Sequence, residues 1–480
     1  MIRSAALLGL VLGALALAPP APAAPPRPAQ AAQVWASSAD GARKLARQAD
    51  LAPAGSPAAG TELTIDPART DQRVVGFGAA MTDASAELLQ TALPSARRRA
   101  LYAELFGRQG LALGFVRVPI GASDFSRRHY SLNDLPPGQR DPAMARFSMA
   151  EPARFQIPAL RAARRVNPGL VLMASPWSAP AWMKDSRSLI TGRLRADAHA
   201  AYAAYFARYL DAMARAGLPV SYVSVQNEPA FEPKDYPGMR MSAADRAAFV
   251  AHALGPALAR RRQRTQILEW DHNWDHPEEP LAVLADPAAR RFIAGVAWHC
   301  YAGDPKVMAE VRAAYPDTQV FFSECSGGNW SPNWGEAMGW MFDNLIIAPL
   351  RAGSRGTLLW NLALDENHGP HLGGCGDCRA VVTIDRASGT VTRNLEYYVL
   401  GHASRFVRPG AQRIASHGGE TAGAAHAAFR NPDGSLVLLA RNGGNMPLAL
   451  AITMQGKAWR LTMPAGEIIT LVWPASGPRR

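Results

Sequence analysis

Lysine is nearly absent from this chain: of 51 Lys+Arg residues only five are lysine. Positive charge is carried by arginine and is scattered, with one short run, Arg260–Arg262 with Arg264, at a helix end ahead of a strand. The formal charge of +12 and the pI near 9.9 therefore come without the clustered basic stripe of a nucleic-acid footprint. The reading is a solvated basic surface with weak attraction to anionic lipid or polysaccharide, and no nucleic-acid partner is expected. Charged residues are also few, 19% against 48% hydrophobic, which excludes intrinsic disorder for most of the 480 residues. No stretch of about 20 apolar residues occurs, so no integral membrane segment is expected. Cysteine is scarce: there are four, none before Cys300, which excludes a lipid anchor near the N-terminus. No internal repeat is found beyond an alternation of strand-like and helix-like segments.

What is present begins with Arg3 followed by the apolar run Ala5–Ala18 and by Ala21-Pro22-Ala23. A basic start, a short apolar run and an Ala-x-Ala site are the pattern of a secretory signal peptide. The expectation is a signal peptide over 1–23, a Pro/Ala-rich tether over 24–32, and a mature protein that is secreted, extracellular or periplasmic.

Short apolar runs then alternate with longer Ala/Arg/Leu segments of helical period. The strands are expected at Val74–Met81, Leu113–Gly121, Leu170–Trp177, Tyr222–Pro229, Gln266–His272, Val296–Tyr301, Val320–Gly327 and Gly356–Leu364. The helices are expected at Ala84–Phe106, Pro152–Val166, Ala196–Ala216, Ala243–Arg260, Glu278–Phe292, Pro305–Ala314, Trp334–Leu350 and Leu395–Phe406. Eight such pairs imply an α/β fold, a parallel (β/α)8 TIM barrel over 73–406. After Phe406 the texture changes. Asn431-Pro-Asp-Gly434 and Asn442-Gly-Gly-Asn445 are turn sequences between Leu436–Ala440, Leu448–Thr453 and Ile468–Trp473. Residues 407–480 read as a small all-β side domain, completed by N-terminal strands within 33–72, among them Val34–Ser37 and Thr61–Ile65.

Polar residues collect at the C-terminal ends of the barrel strands, Asp124, Trp177, Asn227-Glu228, Asp271, His299–Tyr301, Glu324 and Trp360, the end where active sites of this architecture lie; Asp271 and His272 after the fifth strand carry the weakest signal. Glu228 stands in Val-Gln-Asn-Glu-Pro at the end of the fourth strand and Glu324 in Phe-Phe-Ser-Glu-Cys at the end of the seventh. Strands four and seven face one another across the mouth, so both carboxylates can converge. Such a pair suits glycoside hydrolysis, in which one carboxyl group donates a proton to the leaving oxygen and the other attacks the anomeric carbon.

The motifs around these residues resemble glycoside hydrolase family 30, the glucosylceramidase-type retaining β-glycosidases, over roughly Val74–Phe406. They are Gly76-Phe-Gly-Ala-Ala-Met-Thr-Asp83, Arg117-Val-Pro-Ile-Gly-Ala-Ser-Asp-Phe-Ser126, Ser175-Pro-Trp-Ser-Ala-Pro-Ala-Trp182, Gln226-Asn-Glu-Pro229, Ser323-Glu-Cys325 and Trp360-Asn-Leu-Ala-Leu364. The resemblance implies Glu228 as general acid/base and Glu324 as nucleophile. It implies Asn227 on the sugar 2-hydroxyl, Asp124 on the distal hydroxyls, Trp177 and Trp360 as apolar walls, and His299 as a further substrate contact. Arg117 and Tyr301 would lie beside Glu324 and hold it ionised, Tyr301 also reaching the substrate. No cofactor and no metal are implied. The substrate class is a β-glucoside, glycolipid or polysaccharide. The expected activity is retaining, glucosylceramidase-like hydrolysis of a β-glucosidic bond. The alternative within the family is an endo-β-1,6-glucanase or another β-glycanase. The alternative outside enzymes is a catalytically dead carbohydrate-binding protein, whose mark would be the loss of a carboxylate.

In an exported chain Cys375-Gly-Asp-Cys378 reads as a disulfide rather than as zinc ligands, which would need two more groups such as His368 and His371. Cys300 and Cys325 read as small packers facing out of neighbouring strands. The sequence leaves their bonding open.

Overall fold

The computed structural model describes residues 31–54, 60–261 and 264–475. The expected signal peptide over 1–23 and residues 24–30 of the expected tether lie outside the described residues, as does Arg262 of the arginine run.

Eight parallel strands close a barrel in chain order. They are β1 (Gly76–Ala80), β2 (Phe115–Ile120), β3 (Val171–Pro176), β4 (Tyr222–Ser224), β5 (Gln266–Asn273), β6 (Ile293–His299), β7 (Gln319–Glu324) and β8 (Ser354–Leu359). Helices cover the outer face, so the strands are apolar on both faces and buried nearly end to end. The interior is filled by Phe115, Met173, Tyr222, Leu268, Ala297, Phe321 and Leu358, one from each strand but the first. Strand β1 contributes Gly78 instead. A Cβ there would stand 1.7 Å from the Phe115 carbonyl oxygen, so only glycine lets β1 pass β2 this closely.

Some expected boundaries shift for physical reasons. The span Ala84–Phe106 is two helices, Asp83–Thr91 and Ser95–Phe106. Pro94 divides them, because it has no N–H to donate and its ring clashes with the preceding turn. Thr82 caps the first helix by accepting from Ser85 N at 3.2 Å. Strand β4 stops at Ser224, so Asn227 and Glu228 lie past the strand instead of ending it. Asn227 N–H donates to the Pro176 carbonyl at 2.8 Å and Glu228 N–H to the Asp271 carbonyl at 3.1 Å. Glu228 itself is left-handed, at φ 48°.

The side domain is one curled ten-stranded sheet built from both chain ends. Strand Ala32–Ser37 lies between Ala46–Leu51 and Ile468–Trp473, and Thr61–Arg73 pairs with both Gln412–His417 and Leu448–Met454. Its core holds Leu63, Ile65, Ile414, Leu438, Leu450, Ile452 and Leu471.

A buried histidine welds this domain to the barrel. His402, on the helix Leu395–Ser404, places Nδ1 2.9 Å from Thr470 Oγ1 and Nε2 2.8 Å from Ser37 Oγ. Thr470 Oγ1 donates its own proton to the His402 carbonyl at 3.0 Å. It must therefore accept from Nδ1–H, while Nε2 accepts from Ser37. The ring is neutral, and burial pushes its pKa down to about 3. An unfolded chain takes up this proton below about pH 6.5, whereas the folded one does not until about 3. Folding stability is therefore full above pH 6.5 and is lost as pH falls through that window, by about 1 kcal/mol per pH unit from this group. Denaturant unfolding of the wild type and of His402→Gln between neutral pH and pH 4 should show the wild type declining more steeply by that amount. Equal slopes would contradict the assignment.

Candidate active site

The C-terminal mouth of the barrel opens into a cleft of about 510 Å³. Asp124, Trp177, Asn227, Glu228, Tyr301, Glu324 and Trp360 line it, together with Phe231, Tyr236, His272, Asn273 and Trp330, which the sequence reading did not assign to substrate.

Beneath the cleft lies Asp271, fully buried. Its Oδ2 accepts from Arg117 Nη2 at 2.7 Å, from Ser175 Oγ at 2.8 Å and from Ser224 Oγ at 2.6 Å. Its Oδ1 accepts from Ser323 Oγ at 2.7 Å and from His299 Nε2 at 3.1 Å. Burial works to raise the carboxyl pKa, but the Arg117 charge and these hydrogen bonds outweigh it and hold the group far below the ordinary carboxylate range. Local backbone aims the side chain here. Along β5, Leu268 points into the barrel, so Trp270 would follow it by alternation. Trp270 (φ 68°) and Asp271 (φ 58°) are instead both left-handed, and the register with β6 slips between them and His272. The bulge sends Trp270 outward to the helices, where Arg246 lies over its ring at 5.2 Å, and turns Asp271 inward.

Arg117, on β2, is fully buried. Nη1 donates to Glu324 Oε2, Nη2 also to Asn227 Oδ1 at 2.6 Å, and Nε to Ser175 Oγ at 3.2 Å. Its guanidinium lies 4.8 Å from the Trp177 ring centroid and 5.7 Å from that of Trp360. The two indoles stack on one another at 5.1 Å. Trp177 and Trp360 thus wall the cleft and also shelter the cation. Asn227 has its oxygen held by Arg117, which leaves its Nδ2 as the donor offered to the cleft.

The two glutamates converge. One carboxylate oxygen of Glu228, one of Glu324 and a ring nitrogen of His299 all lie within 4.8 Å of one another. Glu324 accepts from Arg117 and from the Tyr301 hydroxyl at 2.9 Å. Glu228 Oε1 accepts from His299 Nδ1 at 3.1 Å. Burial works to raise both acids. The hydrogen bond from His299 brings Glu228 below its ordinary value. Glu324 stays above its own, because burial, joined by the negative charges of Glu228 and Asp271, outweighs the help of His299 and Arg117. The two titrate as a pair. At Asp124 burial, followed by the charges of Glu324 and Glu228, raises the pKa well above the usual value. A neutral carboxyl there can both donate to and accept from a sugar hydroxyl.

His299 is the corrected assignment. It does not line the cleft. It is fully buried, and each ring nitrogen faces a carboxylate, Glu228 and Asp271, so no atom is left for substrate. Burial works against its charge, but Glu324, Asp271 and Glu228 raise its pKa to about 9. The trio Glu228, His299 and Glu324 is spaced like a metal site, but both His299 nitrogens are already engaged by the carboxylates of Glu228 and Asp271. Neighbouring His272 is driven to about 4, chiefly by burial.

Cys300 and Cys325 are bonded, with Cα atoms 5.4 Å apart, joining the chain just past β6 to that just past β7. Cys375 and Cys378 are also bonded. Their sulfurs are not free for zinc, and His368 is occupied by Asn329 at 2.9 Å and the Cys378 carbonyl at 3.0 Å.

With this geometry in view, residues 74–407 match the glycosyl hydrolase family 30 TIM-barrel domain and 410–471 the family 30 beta sandwich domain. The chain is 32% identical over 468 residues to an endo-1,6-beta-D-glucanase of Neurospora crassa, covering 93% of this chain and 95% of that one. It is 30% identical over 438 residues to the lysosomal acid glucosylceramidase of Mus musculus, covering 86% and 84%. The solved structure of an endo-beta1,6-glucanase superposes with a TM-score of 0.86 at 27% identity, covering 93% of this chain and 100% of that one.

Asp271→Asn would leave Arg117 and His299 short of one buried negative charge. Breaking a buried ion pair on one side costs about 3–5 kcal/mol, so denaturant unfolding should show a loss of that order. Glycoside hydrolysis should fall at least about 100-fold as both cations lose their anchor. Turnover within about twofold of wild type would contradict the anchoring role.

Proposed function

Because this chain belongs to glycosyl hydrolase family 30, and is a glycoside hydrolase, we propose that it is a retaining endo-β-1,6-glucanase acting by double displacement on β-1,6-linked glucan. The observation that carries the mechanism is the convergence of Glu228 and Glu324 to within 4.8 Å between oxygens. Retaining enzymes space their carboxyl groups about 5–5.5 Å apart, and inverting ones leave a gap of about 6.5–9.5 Å for water. The substrate rests on the relatives. Endo-1,6-glucanases match over nearly the whole chain by sequence and by structure, and this favours the glucan over the glucosylceramidase-like reading. With both carboxylates in one cleft, the dead carbohydrate-binding reading is set aside.

One glucosyl unit of the glucan lies in the cleft, its distal hydroxyls on Asp124, its 2-hydroxyl on Asn227 Nδ2, its ring against Trp177 and Trp360. Glu324 attacks the anomeric carbon while Glu228 protonates the departing O6 of the next unit. Glu228 then takes a proton from water, whose oxygen attacks the same carbon and releases Glu324. In the open cleft His299 holds a proton against Glu228. When sugar displaces water, a buried ion pair is disfavoured relative to a neutral one, and the proton crosses the 3.1 Å hydrogen bond to Glu228 Oε1. Glu228 becomes the acid. The same step removes both the Glu228 charge that opposes ionisation of Glu324 and the His299 charge that favours it, and Arg117 and Tyr301 remain to hold Glu324 ionised as the nucleophile. Export belongs to the proposal as well: two disulfides suit an oxidising compartment.

Size analysis of early products from β-1,6-glucan, with glucosylceramide and an activated aryl β-glucoside in parallel, tests this reading. Wild type should yield a spread of oligomers from internal cleavage. Glu324→Gln should lose activity on every substrate. Glu228→Gln should lose about 10²–10⁴-fold on the glucan but less on the aryl glucoside, whose leaving group needs no proton. Preference for glucosylceramide, or release of glucose alone from chain ends, would overturn the substrate assignment.

A further inference from the structure

A second cavity of about 520 Å³ adjoins the catalytic cleft and shares Tyr301, Ser326 and Trp330 with it. Its far wall is Trp340 and Met341, from the helix Trp334–Met341, and its edge carries the polar groups of Ser331 and Arg379. Both cavities fall within the range of small-ligand sites, about 300–1,000 Å³.

Two indoles in this second cavity are left in the open. Trp330 is 55% exposed and Trp340 48%, among only six large hydrophobic side chains so exposed in the described residues. Neither is needed to fill the core. Trp330 is nevertheless held firmly. Gly327 and Gly328 pair antiparallel with Arg379 and Cys378, Asn329 N–H donates to the Asp377 carbonyl at 3.0 Å, and the Cys375–Cys378 bond closes the ribbon from the other side. The ring lies against Gly328, where a Cβ would stand 1.9 Å from it. A fixed, exposed indole flanked by hydrogen-bonding groups is what a hexose needs: its apolar C–H face stacks on the ring and its hydroxyls meet the polar edge.

We propose that this second cavity is a subsite for the glucosyl units on the leaving-group side of the cleaved bond, with Trp330 at the threshold and Trp340 as the platform beyond it. The inference rests on the β-1,6-glucanase reading and adds to it where the polymer runs. Asp124, Trp177 and Trp360 line the catalytic cleft alone, whereas Tyr301, Ser326 and Trp330 line both cavities, so the units on the leaving-group side pass over Tyr301 and Trp330. The β-1,6 linkage passes through an exocyclic CH2 and carries one more rotatable bond than a linkage between ring carbons. The chain can therefore turn over Trp330 into a cavity that is not in line with the first.

The test uses a series of β-1,6-linked gluco-oligosaccharides from the disaccharide upward, alongside an aryl β-glucoside, with wild type, Trp340→Ala and Trp340→Phe. Trp340 is exposed on a helix and lies outside the catalytic cleft, so the variants should fold. Wild-type kcat/KM should rise with chain length. Trp340→Ala should lose about tenfold on the longer oligomers, equivalent to about 1.4 kcal/mol, and stay within about twofold on the aryl glucoside, with Trp340→Phe recovering most of the loss. Identical chain-length profiles in wild type and Trp340→Ala would overturn the subsite. An equal loss on every substrate would also overturn it, by making the residue merely structural. A wild type that hydrolyses the aryl glucoside but no β-1,6-oligomer would instead overturn the glucanase reading, and the subsite with it.

Discussion

Asp271 is a carboxylate with no access to water, and the charges above it depend on it. An isolated ion at such depth would be prohibitively costly. Three serine hydroxyls, one guanidinium and one imidazolium offset that penalty by filling both oxygens. The dependence is mutual. Arg117 is a fully buried cation held between Asp271 and Glu324, and His299 keeps its second proton because carboxylates face both its nitrogens. The cleft therefore presents Glu228 and Glu324 over a fixed field of alternating charge rather than over solvent. Its donors and acceptors are already in place, so a proton can shift between His299 and Glu228 without the side chains moving.

The backbone carries strain where this field is built. Glu228, Trp270, Asp271 and Asn361 are all non-glycine residues in the left-handed region, and all stand at or beside the barrel mouth. Each such residue costs about 1–3 kcal/mol and persists only where its surroundings over-determine it. Around them the rim is tied down. The Cys300–Cys325 bond links the neighbours of Tyr301 and Glu324, and the Cys375–Cys378 loop folds over Asp124, Gly374 lying against its side chain.

The barrel was legible because buried parallel strands are apolar runs and the helices between them keep their period. The strand-end polar residues include much of the cleft lining, Asp124, Trp177, Asn227, Glu228, Tyr301, Glu324 and Trp360, while Arg117, buried beneath it, came from the family resemblance. Asp271 is legible only as a polar residue at the end of the fifth strand, without a role, because side-chain alternation along β5 assigns the inward position to Trp270, and the two left-handed residues that reverse it include no glycine to betray a bulge. A retrospective signal did exist. Ser175, Ser224 and Ser323 interrupt three apolar strands at the same depth, and three inward hydroxyls require a common acceptor. His299 was found, but its role depends on a neighbour, Asp271, that strand periodicity does not reveal. Helix breaks at Pro94 and the early end of β4 are local competitions that a hydrophobic pattern averages over. Trp330 and Trp340 sit in loops and helix faces where exposure is invisible to periodicity.

The account turns on a sugar becoming covalently attached to one particular glutamate. Incubation with a 2-deoxy-2-fluoro-β-glucosyl fluoride slows the second displacement more than the first, and peptide mass mapping of the quenched enzyme then reads where the sugar resides. The account predicts one fluoroglucosyl group per chain, on the peptide carrying Glu324 and absent in Glu324→Gln. Attachment to Glu228, or turnover of the reagent with no labelled peptide at any time, would contradict it.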